Sequence, residues 1–325
     1  MHAVRVHEFG GPDRLVYEEV PRPEPAPDEV LVRVHAVGLN PPDWYARTGF
    51  ANIPEEMRPT RRLPFTPGSD VSGVVTAIGA EVTQWAPGDE VFGLIRFPPV
   101  DENGGRAYAE YATAPVTDLA RKPDSADHVQ TAAVPMAGLT AYQFLFDHIG
   151  LEPERRVLIR GAAGGVGHFA VQLAKTRSAH VIAVASGRHE KFLRSLGVDE
   201  FIDYTATEPA AAVADGTVDH VVDCVGGPHG HRLLSAIRRG GTISPVFLGD
   251  YQPERAAELG IEFRPGQVHS DGAQLGELAR LIDAGRVRAE IDSVYPLADA
   301  AQAHRRVEQG HIQGKIVLTT GATGA

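Results

Sequence analysis

Four glycines, at 161, 164, 165 and 167, stand between an apolar run, Val157-Leu158-Ile159, and a stretch from Val166 to Lys175. In that stretch apolar residues recur at 166, 169, 170, 173 and 174, the spacing of one buried helix face. The glycines therefore fall where a strand becomes a helix. Residues without a Cβ let backbone come close to a phosphate, and the first N–H groups of a helix carry partial positive charge that suits an anion. A second apolar run, His180 to Ala185, follows within about 30 residues, as a βαβ unit requires. The segment Gly161, Ala163, Gly164, Gly165, Val166 and Gly167 reads as a turn that cradles the pyrophosphate of a dinucleotide. A tight strand-to-helix turn with no ligand is the plainer alternative.

Which dinucleotide depends on the end of the second strand. A bare ribose is usually met by an Asp or Glu about 20 residues past the glycines, which accepts hydrogen bonds from the 2′-OH. Here the strand leads into Ser186-Gly187-Arg188-His189-Glu190-Lys191, with Ser186 at the acidic position and Arg188 and Lys191 just beyond. A hydroxyl and a guanidinium bind a 2′-phosphate through charge-assisted hydrogen bonds, whereas a carboxylate repels it. The sequence thus predicts NADP(H). In the competing reading Arg188 and Lys191 are solvated residues of the next helix. Glu190 is predicted to point into that helix.

The rest of the chain must position this turn. Its 325 residues suffice for two domains with separate cores. A hydrophobic fraction of 43% and a charged fraction of 22% are those of an ordinary globular protein. The net charge of −11 argues against nucleic acid and against an anionic membrane as partner. A single cysteine, Cys224, excludes a disulfide framework and a cysteine-rich metal cluster; inside an apolar run it reads as a small buried hydrophobe. No apolar stretch approaches a membrane span, and Met1 to Val6 reads as a strand rather than a signal peptide, so a soluble cytoplasmic protein is expected.

Residues 1–123 read as β-rich, with strands at Glu29–Ala36 and Asp70–Gly79 and a proline-spaced extended connection at residues 21–27. Residues 51–62 read as a loop, either mobile over a site or plain surface. From about Asp124 helix and strand alternate. Helices are predicted at 129–146, 166–175, 189–196 and 231–238, with strands at 157–160, 181–185, 200–202, 218–225 and 242–246. This is a doubly wound α/β pattern over residues 124–266. Helices at 275–282 and 298–307 and a strand at 315–319 complete residues 267–325.

The motifs Gly38-Leu39-Asn40-Pro41-Pro42-Asp43, Pro67-Gly68-Ser69-Asp70-Val71-Ser72-Gly73 and Gly88-Asp89-Glu90-Val91-Phe92-Gly93 precede the glycine turn in that order. Ala137-Gly138-Leu139-Thr140-Ala141-Tyr142 and Gly314-Lys315-Ile316-Val317-Leu318 complete the set. With these the whole chain resembles the medium-chain dehydrogenase/reductase superfamily, in its zinc-independent quinone oxidoreductase (ζ-crystallin-like) branch. The resemblance implies a GroES-like β-rich catalytic domain made from both chain ends, an inserted Rossmann domain, and a homodimer or homotetramer. Zinc-dependent members hold the metal with Cys and His where this chain has Asn40 and Ser69, and residues 94–106 lack the four cysteines of a structural-zinc loop. Asp70 alone does not make a zinc site, and His35, His128 and His148 show no ligand spacing. No metal is expected.

Without a Lewis acid, acceptors that delocalise incoming charge themselves are favoured: quinones and α,β-unsaturated carbonyls. The resemblance implies an NADPH-dependent reductase of such small molecules. A dedicated biosynthetic enoyl reductase and a non-catalytic NADPH-binding protein are the alternatives. Asn40 is the candidate donor to the acceptor oxygen, or else the cap of its own turn. Tyr45 is the candidate proton donor, or a packed aromatic. Thr140 is expected to orient the nicotinamide, or to bond its own helix. By resemblance, Val225 and Gly226 meet the adenosine half, Phe247 and Leu248 flank the nicotinamide, Tyr204 lies near the adenosine phosphate, and Lys315 approaches the cofactor or stays solvated.

Overall fold

The computed structural model describes residues 1–98 and 105–322. Residues 99–104, within the cysteine-free 94–106 segment, lie outside the described residues. Numbered in chain order, the first elements are β1 (His2–Val6), β2 (Leu15–Glu19), β3 (Glu29–Gly38), α1 (Pro41–Arg47), β4 (Asp70–Ile78), β5 (Glu90–Leu94), β6 (Tyr111–Pro115) and β7 (Leu119–Arg121). Then come α2 (His128–Ala132), α3 (Pro135–Tyr142), β8 (Arg156–Arg160), α4 (Gly167–Thr176), β9 (His180–Ala185), α5 (Glu190–Ser195), β10 (Glu200–Asp203) and β11 (Val218–Asp223). The last are β12 (Ile237–Pro245), α6 (Pro253–Glu258), β13 (Glu262–Phe263), α7 (Gly272–Asp283), β14 (Ile291–Pro296), α8 (Ala300–Glu308) and β15 (Lys315–Thr319).

The chain forms two compact units, one of Met1–Leu139, His269–Gly285 and Ala289–Ala325, the other of Thr140–Val268 with Arg286–Arg288. In the first, a seven-stranded sheet runs β14-β15-β3-β4-β5-β7, with β6 also paired to β3. Strand β15 pairs antiparallel with β3, Val317 opposite Gly38, so the C-terminal strand lies beside the strand that leads into Asn40. Val30, Val32, Val34, Val71, Val91, Ile316 and Leu318 form its core.

The second unit is a six-stranded parallel sheet in the order β10-β9-β8-β11-β12-β13. Counted from β8, that order is 3-2-1-4-5-6, which places a ligand crevice at the strands' C-terminal ends where the order reverses, between β8 and β11. Strand β11 is buried at every position, Val218 to Asp223, as a central parallel strand must be.

Two expectations are corrected. The single helix over 129–146 is three pieces: α2, α3 and a π-helical turn at Gln143–His148. Pro135 has no N–H to continue α2, so a new helix starts there. The helix at 231–238 is a 3₁₀ segment, Gly230–Ala236, and Ile237 already pairs in parallel with Val218. The first compact unit runs on to Leu139, where Ala132 and Ala133 bury against Ala36 and Val317 and the Met136 N–H donates to Asp70 Oδ1 (2.8 Å). Arg286–Arg288 join the second unit, where the Arg288 backbone bonds the Gln172 carboxamide.

Candidate cofactor-binding and active site

In the parallel-sheet unit, the turn after β8 is built around glycine. Gly161 sits at φ +77°, and a Cβ on Gly167 would lie 2.2 Å from the Gly161 carbonyl oxygen, so only glycine lets helix and strand meet there. Gly161 and Ala162 donate to Val184 O, which ties the turn to β9. The buried His168 donates from Nδ1 to Gly164 O (2.9 Å), fixing the carbonyl side of the turn. Gly164, Gly165 and Val166 remain partly accessible. A Cβ on Gly164 would meet only Gly161 O, at 3.4 Å.

The other predicted cofactor residues follow the C-terminal ends of neighbouring strands in the same sheet. Ser186 and Arg188 follow β9, Tyr204 follows β10, Val225 and Gly226 follow β11, and Phe247 and Leu248 follow β12. Tyr204, Val225 and Leu248 are 46%, 48% and 45% exposed, large apolar surfaces gathered on one edge of a sheet otherwise well covered. The Ser186 hydroxyl is buried without a hydrogen-bond partner. Arg188, exposed at the surface, bonds His189 through Nε, and Lys191 is exposed on α5. Asp203, opposite Ala185 in the next strand, has its carboxylate committed to the Thr205 hydroxyl and N–H and to the Gly187 N–H, which hold its pKa down. Thr140 is buried on α3.

One residue that the sequence reading missed organises this edge. Asp223, fully buried at the end of β11, accepts from Arg160 of β8 (2.9 Å) and from the Tyr251 hydroxyl (2.9 Å) through Oδ2. Its Oδ1 accepts the N–H groups of Val225 (2.9 Å) and Gly226 (3.3 Å). One carboxylate thus joins the glycine-turn strand to the loop after β11. Its signal is an acid directly after Val221 and Val222 at the end of a valine-rich run, since a buried carboxylate requires partners. Cys224, beside it, has its thiol pKa pushed up by burial, consistent with an inert thiol.

In the β-rich unit the two catalytic-domain motifs meet. Asn40 precedes α1, and Asp43 in its first turn accepts the Asn40 N–H (2.9 Å). The Asn40 carboxamide is 2% exposed and fully engaged: Nδ2 donates to Gly38 O (3.2 Å) and Asp70 Oδ2 (2.8 Å), while Oδ1 accepts from the Lys315 ammonium. Lys315, buried on β15, also donates to Leu39 O (2.7 Å) and stands 3.9 Å from Asp70. Both N–H groups of Asn40 are spent within the protein. In this arrangement neither is left for an acceptor oxygen, the group that Asn40 is expected to meet. Lys315 is buried rather than solvated, and within its own unit it is the internal counter-ion of Asp70.

A further chain of bonds backs this cluster. Arg47 donates to His304 Nδ1 (3.0 Å), so His304 carries its proton on Nε2 and donates to the Tyr108 hydroxyl (3.2 Å). Tyr108 in turn donates to Asp43 Oδ2 (3.2 Å). Burial pushes Asp43 up to about 7 and Asp70 up to about 6, and burial with the nearby Arg47 charge lowers His304 to about 3. Burial also lowers the Lys315 pKa, partly offset by Asp70 and Asp43. Tyr45 packs against Val6, Ala46, Phe50 and Phe65 and edge-on to Trp44, and burial raises its phenol pKa, so the hydroxyl stays protonated. Among the described residues, no group of three His, Cys, Asp or Glu is placed to hold a metal, and no helix is long and apolar enough to cross a membrane.

Residues 26–124 match the family described as alcohol dehydrogenase GroES-like domain, and residues 196–318 match that described as zinc-binding dehydrogenase. The chloroplast envelope quinone oxidoreductase homolog of Arabidopsis thaliana is 32% identical over 333 residues, covering 98% of each chain. The chain belongs to the quinone oxidoreductase branch of the medium-chain dehydrogenase/reductase superfamily. The quinone oxidoreductase structure from Coxiella burnetii is similar at a TM-score of 0.87 and 32% identity, over 98% of this chain and 99% of that one. A mycobacterial structure complexed with NADPH is similar at 0.84 and 29%, over 98% and 100%. The β-rich unit is thus the superfamily's GroES-like domain and the parallel-sheet unit its Rossmann domain. The protein is an oxidoreductase with a pyridine-nucleotide-binding fold.

Proposed function

We propose that this oxidoreductase uses NADP(H), without a metal, to reduce a small conjugated acceptor, a quinone or an α,β-unsaturated carbonyl. The observation that carries the cofactor reading is the gathering of the glycine turn, Ser186, Tyr204, Val225 and Leu248 on one edge of the Rossmann sheet. The glycine turn would hold the pyrophosphate. The partnerless Ser186 hydroxyl, with Arg188 two residues on, would meet a 2′-phosphate. Asp203 does not compete for a ribose, because its carboxylate already serves Thr205 and Gly187. When bound, the cofactor supplies a hydride.

The donor set argues against zinc. Asn40 and Ser69 stand at the positions of the metal-binding Cys and His, and the Asn40 oxygen faces the Lys315 ammonium. A second cation beside that ammonium is opposed by charge, and the amide and hydroxyl are not zinc's preferred ligands. An acceptor that spreads charge over its own π-system suits a site without a Lewis acid.

Fluorescence titration with NADPH and NADH tests the cofactor assignment. NADPH is expected to bind more tightly, and Arg188→Ala to weaken it about 10- to 100-fold while barely touching NADH, the loss of one charged hydrogen bond. Equal losses for both cofactors would remove Arg188 from the 2′-phosphate. Stopped-flow oxidation of bound NADPH by quinones and enones tests the chemistry, and no oxidation by either class would defeat it.

A further inference from the structure

The two strands that bracket the crevice of the Rossmann sheet each end on a charged residue, β8 on Arg160 and β11 on Asp223. The two residues stand opposite each other in register. Arg160 also leads directly into Gly161, the first residue of the glycine turn. We propose that Arg160, oriented by Asp223, donates hydrogen bonds to the pyrophosphate of the bound dinucleotide. The proposal rests on the glycine turn being the dinucleotide site and adds to it a ligand from the strand itself.

The loop after β11 lies against the glycine turn, since a Cβ on Gly161 would stand 2.8 Å from Val225 Cγ2. Arg160 reaches into the same loop, where its Nη1 donates to Gly226 O (3.1 Å) as well as to Asp223 Oδ2 (2.9 Å). The guanidinium is therefore held beside the turn. Both of these bonds use Nη1, and among the described residues Nε and Nη2 carry none. The Arg160 side chain is 22% exposed while Asp223 is fully buried. One corner of the group is anchored inward, and its other donors are left for a ligand arriving from outside.

Those donors suit a phosphate. Nε–H and Nη2–H form one forked edge of a planar group, which matches a pair of phosphate oxygens. The anchor is also stiff, because Asp223 Oδ2 takes the Tyr251 hydroxyl (2.9 Å) and its Oδ1 holds the Val225 and Gly226 N–H groups. A donor fixed before its ligand arrives loses little freedom on binding. Asp223 offsets the charge of Arg160, so the arginine acts at close range, through directed bonds rather than a long-range field. Of the two phosphate positions on the dinucleotide, the 2′-phosphate is assigned to Ser186 and Arg188 beyond β9. The pyrophosphate is the one at the turn that Arg160 enters, and it is common to NADPH and NADH.

Calorimetric titration of the full chain with NADPH, NADH, ADP-ribose and adenosine 2′-monophosphate tests the proposal. All but the last carry a pyrophosphate. Arg160→Gln strands the buried Asp223, so the neutral pair Arg160→Gln with Asp223→Asn is measured beside it and reports even if the single variant does not fold. NADPH, NADH and ADP-ribose are expected to weaken alike, by at least about tenfold, as for a lost charged hydrogen bond. Adenosine 2′-monophosphate is expected to change less than about threefold, the scatter of substitutions away from a binding site. Equal weakening of all four ligands would make the pair a structural brace of the loop and overturn the proposal. A loss confined to NADPH, which would move Arg160 to the 2′-phosphate, or unchanged affinities in the folded variants would overturn it as well. A parent protein that binds no dinucleotide would overturn the reading of the glycine turn itself, and this inference with it.

Discussion

Asn40 shows how a residue's type can be legible while its role is not. Its place in Gly38-Leu39-Asn40-Pro41-Pro42-Asp43 marks it at once, and an amide before a short helix suggests either a donor or a cap. In the structure the amide is held in neither way: Lys315, 275 residues away, takes the amide oxygen with its ammonium and turns Nδ2 toward Asp70. No local pattern announces that partner. The same holds for Tyr108 and His304, which are 196 residues apart yet hydrogen-bonded. The cluster also sets the cost of change. Lys315→Met leaves the fully buried Asp70 without its counter-ion, and removing one member of a buried ion pair costs about 3–5 kcal/mol. Denaturant unfolding is expected to show that loss, with NADPH affinity in the folded protein changed less than about threefold, within the scatter of mutational effects away from a binding site. An NADPH affinity lost in step with stability would return Lys315 to the cofactor.

At the scale of elements, the glycine turn was the most legible feature because its reason is local. A strand, a turn without Cβ atoms and a helix all lie within one short stretch of sequence, and only their packing demands glycine. The structure separates two demands that the sequence merges. Gly167 is required by the fold, since its Cβ would meet Gly161 O at 2.2 Å and Ala162 Cα at 2.6 Å. Gly164 has room for a side chain, so packing does not demand its glycine. Gly167→Ala is expected to cost about 1–3 kcal/mol by overpacking. Gly164→Ala should stay within about 0.5 kcal/mol of the parent in thermal or denaturant unfolding, yet weaken NADPH binding. Equal destabilisation by both would show that the turn is purely structural. The helix expected over 129–146 failed for a related reason. Apolar periodicity continues across Pro135, and periodicity alone does not register a missing N–H.

At the scale of the whole molecule, the chain returns to its start: β15 pairs with β3, and the buried charges of both ends share one interior. The sequence pattern indicated a domain made from both termini only through resemblance, because strand order is a long-range property that alternation does not encode. That shared interior makes stability depend on pH. Asp43 titrates at about 7 in the folded protein against an ordinary value of 3.8, chiefly because it is buried. The folded state therefore holds a proton that the unfolded chain has released. The contribution to stability is complete below pH 4 and is lost as pH rises to about 7. Above that the loss is constant. The gap of about three pKa units corresponds to roughly 4 kcal/mol, an order of magnitude for a fully buried group. Asp43→Asn keeps an oxygen to accept the Asn40 N–H but carries no titrating proton, so its stability should fall less between pH 4 and 8. Asp70, pushed up to about 6, retains its own share of the slope in that variant. Denaturant midpoints measured across this range in both proteins give the comparison. Parallel slopes would mean that Asp43 is ionised throughout, and that the Tyr108 and Asn40 donors outweigh its burial.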